Sequence, residues 1–166
     1  MRLVVTPDGH ARFGSWQMCC ALGRGGVVRD KREGDGATPA GIVHPVALLY
    51  RSGRVLPPAT ALPLTPIRPG DGWCDAPGDP AYNGPVRHPY RASAEHLWRA
   101  DHLYDLVVVT DHNRDPAIPG AGSAVFLHLA RSGYVPTEGC IAFARADFRR
   151  LVSRLTPATE IEVLPE

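Results

Sequence analysis

Residues 123–143 read Ser-Ala-Val-Phe-Leu-His-Leu-Ala-Arg-Ser-Gly-Tyr-Val-Pro-Thr-Glu-Gly-Cys-Ile-Ala-Phe. An apolar, strand-like run at Ala124–Leu129 carries His128, and a turn-rich loop follows it. Thr137-Glu138-Gly139-Cys140 then ends the loop at a second apolar run. The pattern therefore predicts a cysteine and a base in one hairpin.

This stretch supplies the groups that thiol chemistry needs. A cysteine is a nucleophile only as the thiolate, and a neighbouring imidazole such as that of His128 can take its proton. Gly139 has no Cβ, so the backbone can turn sharply and let amide N–H groups near Cys140 converge on a developing oxyanion. A cysteine in an apolar context is more often a small core residue. Cys140, however, follows a Pro-Thr-Glu-Gly turn, and we predict it as a nucleophile with His128 and Gly139 as its catalytic partners.

A second motif lies upstream, where Gly34–Gly41 reads Gly-Asp-Gly-Ala-Thr-Pro-Ala-Gly. Together the two stretches resemble the L,D-transpeptidase catalytic domain, or YkuD family, in a compact branch. Members carry a strand histidine, a loop and then Ser/Thr-His-Gly-Cys-apolar-Arg/Asn. The resemblance covers roughly residues 12–164, and the matching positions are His128, Thr137, Gly139, Cys140 and Ile141.

Two positions depart from the family motif. Glu138 replaces the motif histidine and Ala142 replaces the Arg or Asn, and the eight residues between His128 and Thr137 make a shorter loop than usual. An altered choice of donor substrate is therefore expected. Thr137 and Glu138 are assigned to substrate binding, and Glu138 would either pair with a substrate ammonium or serve as a turn residue.

The resemblance also implies an activity and its partners. Cys140 would attack the carbonyl of an L-configured centre in a peptidoglycan stem peptide, release D-alanine and form a thioester. The side-chain amine of a second stem would then accept the acyl group, giving a 3–3 or a 1–3 cross-link. Such a bacterial enzyme of cell-wall biogenesis and cell shape uses no cofactor or metal and is a target of carbapenem-type β-lactams.

Two alternatives stay open at this point. Water and an amine compete for one acyl-enzyme, so a cysteine L,D-carboxypeptidase or amidase would use the same residues. An inactive cell-wall-binding domain, in which the shortened loop misplaces His128, belongs to a different class. The reactivity of Cys140 toward an electrophile separates these, because the binding domain predicts an ordinary thiol.

Composition limits the class of protein. A length of 166 residues with 44% hydrophobic content predicts a single domain, residues 1–166, with ample core. A net charge of +1 gives no electrostatic reason to bind nucleic acid, and no apolar run reaches the roughly 18 residues of a membrane-spanning helix. Met1–Gly9 lacks the apolar core of a secretory signal. The family works in the cell envelope or periplasm, so another export route, an internal function or a removed leader is expected.

Gly and Pro, 17 of each, favour short strands joined by turns. The predicted fold is mainly β with short helices, a β-rich α+β fold, and the resemblance implies a sandwich- or barrel-like sheet with the cysteine at the end of a strand and loop. Tyr104–Thr110 reads as a central strand that is buried on both faces. The other predicted strands are Leu3–Thr6, Ser15–Leu22, Gly26–Arg29, Ile42–Tyr50, Ala124–Leu129 and Glu160–Leu164.

Two helices are predicted, at Ser93–Trp98 after a capping serine and at Arg145–Leu155 with apolar residues at helical spacing. Residues 52–103 form a long loop excursion whose first part is rich in proline. Its aromatic residues predict that it packs down on the domain, either to wall a cleft or only to cover the core: Trp73, Tyr82 and Tyr90.

The remaining reactive side chains form no further motif. The four cysteines have no Cys-x-x-Cys spacing, so no metal site is predicted, and strand alternation places Cys20 in the core with Cys19 facing the other way. Among seven histidines, His112 ends the central strand, and it is assigned with Asn113 to substrate binding near the same sheet edge. The glycine-rich stretch lacks Gly-Lys-Ser/Thr and is interpreted as a turn, not a phosphate loop.

Overall fold

Short β-strands dominate the computed structural model, which describes residues 1–166. The helical segments are α1 (Arg145–Val152) and a 3-10 turn at Ser132–Tyr134. The prediction of a β-rich fold with short helices is confirmed. The strands are β1 (Arg2–Thr6), β2 (His10–Phe13), β3 (Trp16–Ala21), β4 (Val27–Val28), β5 (Thr38–Pro39), β6 (Gly41–Val43), β7 (Pro45–Arg51), β8 (Leu64–Ile67), β9 (Asp71–Cys74), β10 (Pro85–Arg87), β11 (Ala94–His96), β12 (Leu106–Thr110), β13 (Phe126–Leu129), β14 (Ile141–Phe143) and β15 (Glu160–Val163).

Ten strands form one sheet in the order β6-β15-β1-β2-β3-β14-β13-β12-β7-β8. In a flat sheet the eight steps from β6 to β7 would cover about 38 Å at ~4.8 Å per strand. Only His44 separates the two strands in the chain, and one residue spans no more than about 7 Å between its neighbours. The sheet must therefore curl until its far regions meet at His44.

The predicted strand Ile42–Tyr50 is wrong in one respect, because it is two strands in different parts of the sheet. Pro45 has no backbone N–H to continue the pairing, and the backbone N–H of His44 donates instead to the carboxylate of Asp111 at 2.7 Å. The other six predicted strands are confirmed within two residues at each end.

Strand β12 is buried at all five positions between β13 and β7, which confirms the predicted central strand. Successive side chains point to opposite faces, so Leu106 and Val108 join the main core while Val107 and Val109 join a second, smaller cluster. The main core includes residues of β1, β2, β3, β15 and α1. Cys140 belongs to the smaller cluster.

The excursion at residues 52–103 holds four strands that the sequence did not predict. Strand β9 lies between β10 and β11 in a separate three-stranded sheet, and the Trp73 ring packs edge-on against Phe126, 5.1 Å between centroids. The predicted helix Ser93–Trp98 is wrong, because Ala94–His96 is β11 and pairs with β9. Six residues are too few to sustain a helix alone, whereas pairing with β9 gives Ala94–His96 backbone hydrogen-bond partners. Of the aromatic residues predicted to pack down on the domain, Trp73 and Tyr82 are buried and Tyr90 is half-buried.

Helix α1 ends three residues before the predicted Leu155, with Phe148, Leu151 and Val152 buried against the sheet. All four cysteines are free; Cys20 is buried and Cys19 exposed, as strand alternation predicted. None of the helices combines the length and the apolar character needed to cross a membrane.

Candidate active site

Strands β13 and β14 place the predicted nucleophile and base on the same face of the sheet. They run parallel, with His128 opposite Ala142 and Leu127 opposite Ile141. The predicted hairpin is therefore wrong, because hairpin strands are antiparallel and these two are joined by a crossover loop. Cys140 precedes β14 and lies two residues before Ala142, so its side chain points to the same face as Ala142. His128 and Cys140 are therefore diagonal neighbours on adjacent strands, a separation that long side chains bridge.

Both side chains line one pocket of about 430 Å³. Its walls come from the glycine-rich turn, the three-stranded sheet, the segment before β12 and the loop before Cys140. Charged side chains of both signs face it: Lys31, Glu33, Asp75, Glu95, Arg99, Arg131 and Glu138. Sequence reasoning named only Glu138 among these for a role in the site.

The surroundings of His128 determine which ring nitrogen is the base. Its Nδ1 lies 2.8 Å from the carbonyl oxygen of Leu129. A carbonyl only accepts, so Nδ1 carries the proton of the neutral ring and Nε2 is left with a free lone pair. Burial lowers the pKa of His128 to about 4, although the bond to Leu129 acts in the opposite direction. The imidazole is therefore a neutral proton acceptor at physiological pH.

Tyr104 and Glu95 support the imidazole from the side. The Tyr104 ring packs edge-on against His128, with 5.3 Å between centroids, and its hydroxyl donates to a carboxylate oxygen of Glu95. Burial raises the pKa of the Glu95 carboxyl. Glu95 was missed because its sequence environment predicted a helix, whereas β11 turns its side chain toward the pocket.

Cys140 rests as a thiol in a mostly apolar environment. Its S–H donates to the carbonyl oxygen of Ala124 at 3.1 Å, and the backbone N–H of Phe126 donates to the sulfur at 3.4 Å. Burial raises the pKa of Cys140 to about 12, and the charge of Glu95 acts in the same direction. The thiol is therefore protonated at physiological pH.

Thr137 shapes the chain just before the thiol. Its hydroxyl donates to the carbonyl oxygen of Cys140 at 2.7 Å and accepts from the N–H of Gly139 at 3.1 Å. Gly139 has a φ of 132°, and a Cβ there would lie 2.7 Å from the carbonyl oxygen of Ala37. Only glycine fits this close contact with the glycine-rich turn, so the two motifs that carry the resemblance meet directly beside Cys140.

Glu138 and Ala142 stand at the two positions that depart from the motif. Both carboxylate oxygens of Glu138 lie within hydrogen-bond distance of Arg24 Nε, at 3.0 and 2.9 Å, on the exposed rim of the pocket. Ala142 is buried in the pocket floor beside His128. Glu138 therefore has a partner within the chain, and its substrate-binding role stays a prediction.

His112 and Asn113 lie outside the lining of the pocket. His112 Nε2 is 3.2 Å from the carbonyl oxygen of Ala121, and the Asn113 amide donates to the carbonyl oxygens of Ile118 and Gly122. These bonds fix the loop that leads to Ala124, the acceptor of the Cys140 thiol. Their assignment to substrate binding stays a prediction.

A comparison with protein families gives one match. The YkuD model, described as the L,D-transpeptidase catalytic domain, matches residues 1–163. No curated protein and no solved structure matches the chain.

Proposed function

Since the chain belongs to the YkuD family of L,D-transpeptidase catalytic domains, we propose that it is a peptidoglycan L,D-transpeptidase with Cys140 as nucleophile and His128 as base. Members of this family are cysteine-dependent enzymes that act on peptidoglycan peptides and are typically associated with the cell envelope. One observation carries the proposal: Cys140 and His128 are diagonal neighbours in one pocket, and the bond to Leu129 leaves Nε2 of the imidazole free to accept a proton.

Acylation begins when the stem peptide fills the pocket and the thiol leaves the carbonyl of Ala124. Nε2 of His128 takes the thiol proton, and the sulfur attacks the carbonyl carbon of an L-configured centre of the donor stem. Backbone N–H groups at Gly139 and Cys140 face the developing oxyanion, and the N–H of Gly139 exchanges its bond to Thr137 for this one. The carbon–nitrogen bond to D-alanine breaks, the imidazolium returns its proton to the leaving amine, and a thioester remains.

Transfer then reverses these roles. The amine of a second stem attacks the thioester carbonyl and forms a carbon–nitrogen bond, while the carbon–sulfur bond breaks. His128 receives a proton from the attacking amine and passes it to the leaving sulfur, which restores the thiol. The donor centre and the acceptor amine determine whether the cross-link is 3–3 or 1–3.

Intact-protein mass tests the proposal. Wild type is incubated with a disaccharide-tetrapeptide and, separately, with a carbapenem, which we expect to acylate Cys140 as a β-lactam analogue of the donor. Adducts on wild type, their absence on Cys140→Ala and a cross-linked dimer product are the expected result. Cys19→Ala is the matched control, because it removes the exposed thiol and leaves the pocket intact.

Other outcomes assign the site differently. Release of D-alanine without a cross-linked product would identify a carboxypeptidase that transfers the acyl group to water. A folded wild type whose Cys140 stays unmodified by both reagents would contradict catalysis and leave a cell-wall-binding domain.

A further inference from the structure

Lys31 is the only lysine among the 18 lysine and arginine residues of the chain. Its side chain is 7% exposed, yet it lines the pocket of Cys140 and His128. An ammonium is a compact charge that responds strongly to burial, whereas a guanidinium is broad and planar. The chain therefore places its one compact cation inside the candidate active site.

The ammonium of Lys31 lies next to the backbone that precedes the nucleophile. A Cβ at Gly139 would be 3.6 Å from Lys31 Nζ. The same side chain packs close to Gly122, in the loop that leads to Ala124, since a Cβ at Gly122 would lie 2.8 Å from Lys31 Cγ. Lys31 thus touches both segments that surround the Cys140 thiol.

Hydrogen bonds within the turn at residues 31–37 hold the Lys31 ammonium in place. Nζ donates to the carbonyl oxygen of Arg32 at 3.0 Å and pairs with the carboxylate of Asp35. Asp35 also accepts from the backbone N–H groups of Arg32 and Ala37, at 2.8 and 2.9 Å. Asp35 therefore both fixes the turn and partly offsets the charge of Lys31.

Buried Cys140 needs a nearby positive charge to form a thiolate, because burial strongly favours the neutral thiol. Glu95 disfavours the thiolate, whereas Lys31 favours it. Ala142, at the motif position of Arg or Asn, supplies no charge. The other titratable groups that line the pocket are Glu33, Asp75, Arg99, Tyr104, His128, Arg131 and Glu138. His112 lies behind the lining, near Lys31 and Gly122, and burial, helped by the charge of Lys31, lowers the pKa of its imidazole.

We propose that the ammonium of Lys31 is the positive charge that favours the Cys140 thiolate, and the oxyanion formed from it, over their neutral forms. This inference rests on the proposed role of Cys140 as nucleophile. Lys31 is a positioning and electrostatic residue in this scheme, and it takes no proton from the substrate.

The test is the rate at which iodoacetamide alkylates Cys140, read by intact mass in a Cys19→Ala background. At a pH far below the pKa of the thiol, the rate follows the thiolate fraction, partly compensated by nucleophilicity. Each unit by which the pKa rises therefore slows alkylation about three- to four-fold. Lys31→Met should slow alkylation by at least this factor, and Lys31→Arg should lie closer to wild type.

Asp35→Asn separates an electrostatic role from a structural one. Removing the negative charge beside Lys31 should accelerate alkylation, opposite in sign to Lys31→Met. If Lys31 and Asp35 only maintain the turn, both variants loosen it and change the rate in the same direction, which would overturn the proposal. Arg131→Gln, a second cation of the pocket, is the matched control and should change the rate less than Lys31→Met.

Thermal melts establish that each variant is folded; if Lys31→Met is not, the sign of the Asp35→Asn effect decides the question. Stem-peptide acylation of wild type keeps the two proposals apart. Acylation of wild type with an unchanged alkylation rate in Lys31→Met would contradict the role of Lys31 alone. Alkylation that follows Lys31 in a protein that no stem peptide acylates would contradict the transpeptidase alone.

Discussion

Strands β13 and β14, with Cys140 just before β14, present two faces of very different character. The core face consists of Leu127, Leu129, Ile141 and Phe143, which are at most 1% exposed and join the main core. The site face consists of Phe126, His128, Cys140 and Ala142, which line the pocket or the smaller cluster. Neighbouring residues of the same strands thus have different surroundings. Strand alternation lets one face pack into the main core while the other lines the pocket.

Substitution of Cys140 tests whether the site face carries the reactivity. Cys140→Ala should abolish acylation by stem peptide and by carbapenem, because no other thiol lines the pocket. Stability should change by less than about 1 kcal/mol, since the side chains are similar in size and the thiol bonds are weak. Urea unfolding and intact mass measure the two effects. A Cys140→Ala protein that still forms adducts would place the nucleophile elsewhere.

The core face should behave in the opposite way. Phe143→Ala removes a fully buried ring that stacks on Phe148 at 5.9 Å between centroids, and should destabilise the fold by about 3–5 kcal/mol. The molecules that remain folded should keep their acylation rate at 25 °C. The free energy of unfolding and the rate per folded molecule test this. Loss of rate without loss of stability would mean that the two faces are not separable.

Acid tests the difference between the two faces, because His128 on the site face is the one group of either face that gains a proton between pH 7 and pH 4. The pKa of His128 falls from its ordinary value of 6.5 to about 4 in the folded protein. Between these values the unfolded chain binds the proton and the folded protein does not, so stability is lost as the pH falls. The loss at this site is on the order of 3 kcal/mol. The free energy of unfolding, measured with urea, should therefore fall less between pH 7 and pH 4 in His128→Gln than in the control variant His102→Gln, which keeps the buried His128 and replaces an exposed histidine. Equal losses would contradict the buried neutral imidazole.

Gly139 tests the contact between the two motifs. Gly139→Ala forces a side chain into a φ of 132° and against the carbonyl of Ala37, so a loss of about 1–3 kcal/mol is expected. Acylation should slow as well, because the backbone beside Cys140 must move. Gly133→Ala, which also has positive φ but open space at its Cβ, is the matched control for strain without the clash. The same stability and rate in both variants would show that the contact with Ala37 is unimportant.

The smallest effect is expected at the rim. The side chains of Arg24 and Glu138 are 56% and 78% exposed, and such ion pairs contribute no more than about 1 kcal/mol. Glu138→Gln should therefore leave the unfolding free energy nearly unchanged. A rise in KM for the amine acceptor with an unchanged kcat would support binding of a substrate ammonium by Glu138. No change in either constant would leave it as a turn residue.

Local sequence was enough for the parts of the site that lie on β13 and in the loop that leads from it to β14. His128 and Cys140 were assigned from the apolar run, the turn-rich loop and the Gly-Cys that ends it, together with the family motif, and both side chains line one pocket. Thr137 and Gly139, which shape the backbone just before Cys140, could be assigned from the same stretch of sequence. The buried central strand could also be predicted from local sequence, since four of the five residues at Leu106–Thr110 are apolar.

The parts that could not be predicted depend on distant pairing. Glu95 lies in six residues with a helical pattern, and only the presence of β9 makes them a strand. Lys31 is about a hundred residues from Cys140 in the chain, and no spacing indicates that its turn closes against Gly139. The split at His44 depends on the curl of the whole sheet.

His44, the single residue between β6 and β7, covalently links two distant parts of the curled sheet. Because one residue spans no more than about 7 Å, the chain itself holds β6 close to β7 at that point. Asp111 stabilises this link: its carboxylate accepts a hydrogen bond from the backbone N–H of His44, and its own N–H donates to the His44 carbonyl oxygen. The loop that begins at Asp111 and leads toward Ala124 and the pocket is therefore anchored at its start to the junction of β6 and β7.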